Sequence, residues 1–299
     1  MSEDGGFESL AREIGAQIGE ECAPEPQSGV SGASIHRTYR WQCGATALFV
    51  KVADHGGGAA GLEAEAAGLQ TLADAQAVRV PRVLARGRAG ATAFLALEWI
   101  ESRPAGRAAE HRLGERLAAQ HRVTSREFGF RSDNFIGRTP QPNGCLPDWP
   151  EFFRERRLRH QLALAVENGF AGLLETPGAR LLEATAALLA GHRPEASLLH
   201  GDLWAGNWLA DEGEEPVIFD PAVYFGDREA DLAMTRLFGG FGRAFYDAYL
   251  TEAPLPPGHA VRAELYNLYH VLNHANLFGG GYARQARASI AKLLAEVRG

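Results

Sequence analysis

Residues 198–208 read LLHGDLWAGNW. Two apolar residues run into His200, Gly201 and Asp202, and Asn207 follows that aspartate by five positions. Thirteen residues after Asn207, a second apolar run, EPVIFD (215–220), ends in Asp220. Each run has the length of a short strand, so the string places oxygen-bearing side chains at strand ends, where loops carry function. Asp202 supplies a carboxylate able to take a proton from a hydroxyl. Asn207 and Asp220 supply oxygen ligands for a divalent cation held against phosphates. By itself the string also fits a turn in which Asp202 and Asn207 bond their own loop. Partners elsewhere in the chain decide between the two.

Working outward, Lys51 sits inside the apolar run LFVKV, in a chain that uses arginine almost everywhere else and has one other lysine, Lys292. An ammonium in mid-strand is costly unless paired. Glu65, in the helical stretch EAEAAGL, is its natural partner, whereas Glu63 points off another face as a solvated residue. The Gly/Ser run SGVSGAS (28–34) precedes the lysine strand. The backbone N–H groups of Gly32, Ala33 and Ser34 are candidates to cover phosphates. LEWI (97–100) then offers backbone groups near Glu98, Trp99 and Ile100 to an adenine edge. A lysine–glutamate pair upstream of H-x-D-x-x-x-x-N and a strand-end aspartate is the order found in eukaryotic-type kinases.

The rest of the chain is consistent with that order. Up to residue 101 the pattern reads as a small sheet with an internal helix, entered through the amphipathic stretch 7–20. After ESRPAG (101–106), read as a hinge, most segments carry apolar residues at i, i+3, i+4 spacing. The expected fold class is α+β and bilobal, kinase-like. Residues 1–101 are expected to form a nucleotide-binding lobe with an antiparallel sheet. Residues 102–299 are expected to form a mostly helical lobe with the catalytic loop and acceptor site, with a cleft at the hinge. The chain has 299 residues, 45% hydrophobic, enough for a substantial core. A net charge of −7 gives no footprint for nucleic acid. The longest apolar run, AFLALEWI (93–100), is too short to span a membrane, and the acidic N-terminal stretch does not read as a secretory signal. Three cysteines without a C-x-x-C pair read as reduced thiols in a cytoplasmic protein, and cysteine metal sites are not expected.

Several stretches together give a sharper reading: FVKV, EAAGL, DNFIGRTPQPN (133–143), FFRERRL (152–158), HGDLWAGN, FDPAVYFGDREADLAM (219–234) and LYNLYHVLNHANLFGGGY (265–282). In this order, over roughly residues 28–290, the chain resembles the fructosamine-3-kinase, or ketosamine-3-kinase, family. That family is related to the aminoglycoside phosphotransferases within the protein-kinase-like superfamily. The resemblance implies ATP and Mg²⁺ as cofactors, and a ketosamine on a protein lysine or free amine as acceptor. It implies Asp202 as catalytic base, Asn207 and Asp220 as Mg²⁺ ligands, Lys51 with Glu65 as the phosphate-positioning pair, and Trp204 beside the sugar. A flat indole also suits a sugar face on physical grounds. His200 is expected to orient the catalytic loop, and Asp231 to brace loop to helix. His270 and His274, at i, i+4 but with no third ligand indicated, are expected to serve packing and substrate-side contacts, not zinc. One departure is SGASIH (31–36), where many family members show paired glycines and some a redox-active cysteine. That puts redox control through this loop in doubt. Two rivals remain: a small-molecule kinase of the same fold acting on an aminoglycoside, choline or sugar, and a nucleotide-binding pseudokinase scaffold.

Overall fold

The computed structural model describes residues 3–29, 36–54 and 58–297. The chain forms two units, Met1–Ala109 with Gly206–Pro221, and Glu110–Ala205 with Ala222–Gly299.

In the first unit, strands Arg37–Cys43 and Thr46–Ala53 pair antiparallel around a turn at Gly44, whose φ of +52° suits glycine. Thr92–Glu98 adds to the other side of Thr46–Ala53, Val83–Ala89 lies outside it, and Ser28–Gly29 closes the opposite edge of this five-stranded antiparallel sheet. The period-two alternation of TALFVKVA sorts its side chains between two faces. Leu48, Val50 and Val52 join Trp41 and Phe94 in a core closed by Leu10, Ala11 and Ile14 of helix Glu3–Ile18. Lys51 therefore points to the opposite face, toward helix Gly58–Ala75, which buries Leu62, Ala66, Leu69 and Leu72. A smaller sheet completes the unit, with strand Trp208–Asp211 between Pro216–Ile218 and Ser102–Arg103.

The second unit is mainly helical. Its long elements are Ala171–Leu188, His259–Phe278 and Gly280–Glu296, with shorter helices Glu229–Leu237 and Arg243–Glu252. Strand Ala196–Leu199 lies between Tyr224–Gly226 and Thr124–Ser125, and a small hairpin joins Asn134–Ile136 to Thr139–Gln141. Apart from Ala196–Leu199, these short strands have no signal in the sequence pattern. Among the described residues, no helix is long and apolar enough to cross a membrane.

One expectation is corrected. Cys22 and Cys43 are not both reduced thiols: they form a disulfide, and Cys145 alone is free. The two cysteines face each other in an antiparallel bridge, a pairing that the absence of a C-x-x-C motif concealed.

Candidate active site

Within the first unit the paired-lysine expectation takes definite geometry. The Lys51 side chain is 3% exposed, and its Nζ lies 2.7 Å from Glu65 Oε1 and 2.5 Å from Asp220 Oδ1. One ammonium thus holds a helix carboxylate and a strand-end carboxylate. Burial alone would lower the Lys51 pKa, but the two carboxylates more than offset it and hold the ammonium above its ordinary value. Glu65 is pushed up to about 7 by burial, which outweighs its attraction to Lys51, with Asp220 repelling its charged form. Two acidic groups share one ammonium, so this cluster suits an added cation, whose charge would favour the ionised form of both.

The hairpin 208–218 brings Asn207 to Asp220. Trp208 opposes Ile218, and the Phe219 N–H donates to the Asn207 carbonyl at 3.0 Å. Asn207 is buried, whereas the Asp220 side chain is 35% exposed. Asp220 has a φ of +55°, a left-handed conformation that a non-glycine residue rarely adopts and that clusters at functional sites. An amide oxygen and a carboxylate at one hairpin end form a hard-oxygen donor set, which fits Mg²⁺. His36, missed by the sequence reading although it ends SGASIH, also faces this cluster. Burial and the Lys51 charge push its pKa down, against the pull of Asp220.

Beside the cluster lies a cavity of about 190 Å³ lined by Phe49, Leu97, Trp99, Ile100, Leu209 and Phe219, with Asp220 among its walls. It is mainly apolar, as suits a nucleobase. The expected adenine-facing backbone lines it in part: the Glu98 and Trp99 N–H groups already donate to the Arg82 and Ala47 carbonyls, at 3.0 and 3.1 Å. The Ile100 N–H has no protein acceptor among the described residues. The Glu98 side chain pairs with Arg79 and Arg82. Gly32, Ala33 and Ser34, expected over the phosphates, lie outside the described residues.

In the second unit, the loop after strand Ala196–Leu199 is fixed from beneath. Buried Asp231 accepts hydrogen bonds from the His200 N–H at 2.7 Å and the Gly201 N–H at 2.9 Å, and lies 3.2 Å from His121 Nε2. His121 Nδ1 in turn meets the Tyr249 hydroxyl at 2.8 Å. Burial would raise the Asp231 pKa, but the His121 hydrogen bond and charge and the backbone donors hold it below the ordinary value. The Asp202 N–H donates to His200 Nδ1 at 3.2 Å. Asp231 and His200 thus do the bracing that the sequence suggested, and Asp202 itself stays partly exposed. Trp204 is half-buried, packed edge-on to Phe238 with centroids 6.3 Å apart.

The motif DNFIGRTPQPN, given no role for its Asp133 and Asn134, is a buried polar clamp. Asn134 Nδ2 donates to the Val223 carbonyl and Gln141 Nε2 to the Ala222 carbonyl, at 2.8 and 3.2 Å. Gln141 and Asn143 each donate to Asn134 Oδ1 at 2.7 Å. Arg157, fully buried, donates to Asn143 Oδ1 and stacks over the Tyr224 ring, while Tyr269 donates to Gln141 Oε1. His274 donates from Nδ1 to the His270 carbonyl, and burial pushes His270 down to about 3.

A paired strand lysine, a strand-end aspartate and a braced H-G-D loop, on an antiparallel sheet followed by helices, define a kinase-like phosphotransferase. The sequence signature described as fructosamine kinase matches residues 7–296. The chain belongs to the fructosamine kinase family. It is 42% identical over 289 residues to a Synechocystis sp. protein named a probable ketoamine kinase, covering 96% of this chain and 97% of that one. It is 40% identical over 264 residues to the chloroplastic protein-ribulosamine 3-kinase of Arabidopsis thaliana, covering 87% of this chain and 80% of that one. A solved Haemophilus somnus structure assigned to the fructosamine-3-kinases aligns with a TM-score of 0.89 at 26% identity, over 97% of this chain and 98% of the other. The chain is accordingly a phosphotransferase with an alcohol group as acceptor.

Proposed function

We propose that this kinase is an ATP- and Mg²⁺-dependent ketosamine 3-kinase. It phosphorylates the O3 hydroxyl of a sugar-derived adduct on a protein lysine or free amine. The 3-phosphate destabilises the adduct, so the reaction initiates deglycation. The observation that carries the reading is the Lys51–Glu65–Asp220 cluster beside the apolar slot. Relatives named for ketoamines and ribulosamine support the acceptor. In this reading residues 1–101 form the nucleotide-binding lobe and 102–299 the lobe carrying the catalytic loop, with a cytoplasmic location where ATP and Mg²⁺ are supplied.

Each residue then has a task. Phe49, Leu97 and Phe219 hold the base, and backbone at Glu98, Trp99 and Ile100 faces its edge. Gly32, Ala33 and Ser34 cover the phosphates, and Lys51, oriented by Glu65, pairs with them. Asn207 and Asp220 would hold Mg²⁺, which supplies charge neutralisation at the transferring group. Asp202 accepts the proton as the O3 oxygen attacks, and Trp204 lies against the sugar. The intact set of Lys51, Glu65, Asp202, Asn207 and Asp220 speaks against a pseudokinase scaffold.

The test is ATP consumption with ribulose-lysine, fructose-lysine, kanamycin and choline side by side. Turnover confined to the two ketosamines, with phosphate on O3, is the expected result. Turnover of kanamycin or choline alone would replace the reading by the small-molecule rival, and ATP binding without turnover of any acceptor by the scaffold.

A further inference from the structure

Among the described residues three large hydrophobic side chains are exposed, and two of them, Phe238 at 43% and Phe278 at 64%, lie in one aromatic strip. The strip begins at Trp204. Phe238, just past helix Glu229–Leu237, meets Trp204 edge-on, and its ring centroid is 4.9 Å from that of His274. His274 and Phe278 are one turn apart on helix His259–Phe278, with centroids 5.5 Å apart, and Tyr282 of the next helix lies 5.1 Å from His274. Isolated exposed aromatics are ordinary, but a continuous row drawn from four segments and running out to solvent is the mark of a binding surface.

His274 gives the row a polar centre. Its Nδ1 hydrogen is donated to the His270 carbonyl at 2.8 Å, since a carbonyl can only accept. Burial lowers its pKa, so the ring is neutral at pH 7 and carries its lone pair on Nε2. No protein donor reaches that nitrogen among the described residues. Aromatic faces beside one neutral acceptor suit an alkylammonium: the cation over a ring, an N–H to Nε2, and methylenes along the remaining rings.

A ketosamine presents this combination next to its sugar. The nitrogen is a secondary ammonium, and the chain that bore the original amine continues from it. The geometry points to Phe238, His274, Phe278 and Tyr282 as the subsite for the amine-bearing carrier of the acceptor, selective for long aliphatic carriers of the lysine type. This rests on the ketosamine reading and on Trp204 lying at the sugar.

The experiment compares two acceptors sharing one ribulose sugar, ribulose-lysine amide and ribulose-methylamine, in the intact chain and in Phe278→Ala and Phe278→Tyr. Phe278 is mostly exposed, so its truncation leaves folding intact, and melting temperatures check this. Phe278→Ala is expected to lower kcat/KM for the lysine acceptor about 5- to 20-fold, through KM, while the methylamine acceptor changes less than about 2-fold. Phe278→Tyr keeps the preference. If the intact chain turns over both acceptors and Phe278→Ala leaves their ratio unchanged, the subsite is overturned and the ketosamine reading stands. If the intact chain turns over neither, the reaction reading falls and the subsite with it. If Phe278→Ala instead changes the mass in solution at an unchanged ratio, the strip is a contact between copies, and the proposal is overturned.

Discussion

At the scale of single residues, the proposed base Asp202 and its neighbour Gly201 can be tested separately. Asp202 is partly exposed, and its backbone N–H is tied to His200 Nδ1. Asp202→Ala is expected to lower kcat by about 10²–10⁴-fold, with nucleotide affinity by calorimetry nearly unchanged. Retention of more than roughly a tenth of the rate would remove Asp202 from the role of base. Gly201 has a φ of +83°, and an added Cβ would run into the Ala222 carbonyl oxygen. Gly201→Ala is therefore expected to lose more than about 2 kcal/mol in denaturant unfolding, and to displace the loop whose N–H groups Asp231 holds. These residues were legible because H-G-D and N stand at fixed spacing within one short segment. His36, Phe49 and Phe219 were not: their parts depend on which side chains converge in space, and no local pattern records that.

At the scale of elements, the Lys51–Glu65 contact joins strand Thr46–Ala53 to helix Gly58–Ala75, and its titration can be followed by stability. Glu65 binds its proton more tightly folded than unfolded, rising from 4.5 to about 7. Between those values the native chain holds a proton that the unfolded chain has released, so stability falls as pH rises through that window. Chemical denaturation of the chain without nucleotide, from pH 4.5 to 7, is expected to show a steeper decline in the parent than in Glu65→Gln, which has no such proton to lose. Parallel slopes would mean that Glu65 is ionised throughout. Strands and helices with clean periodicity, such as TALFVKVA and the long helices, were readable from pattern. The hairpin Asn134–Gln141 and the strand Tyr224–Gly226 were not, being three-residue pieces held by side-chain bonds from Asn134, Gln141 and Asn143. Their stabilisation comes from buried polar satisfaction, which leaves no hydrophobic period to detect.

At the scale of the whole molecule, the family could be identified because its motifs run through most of the chain in order, whereas the Cys22–Cys43 bridge could not, since connectivity is a property of the folded register. The burial of Lys51 has one more consequence. Reducing sugars condense with accessible, unprotonated amines, and this chain has two lysines in 299 residues. One of them is 3% exposed and locked as an ammonium between two carboxylates. Only Lys292, 71% exposed beside Glu264, offers an ε-amine to the solvent. Arginine supplies nearly all remaining positive charge and forms no Schiff base with an aldose. After incubation with ribose, peptide mass spectrometry is expected to find lysine adducts at Lys292 and none at Lys51 until the chain is unfolded. A protein proposed to act on sugar-damaged lysines is thus itself almost without lysines to damage, and the one proposed to hold phosphate is shielded by its own ion pairs.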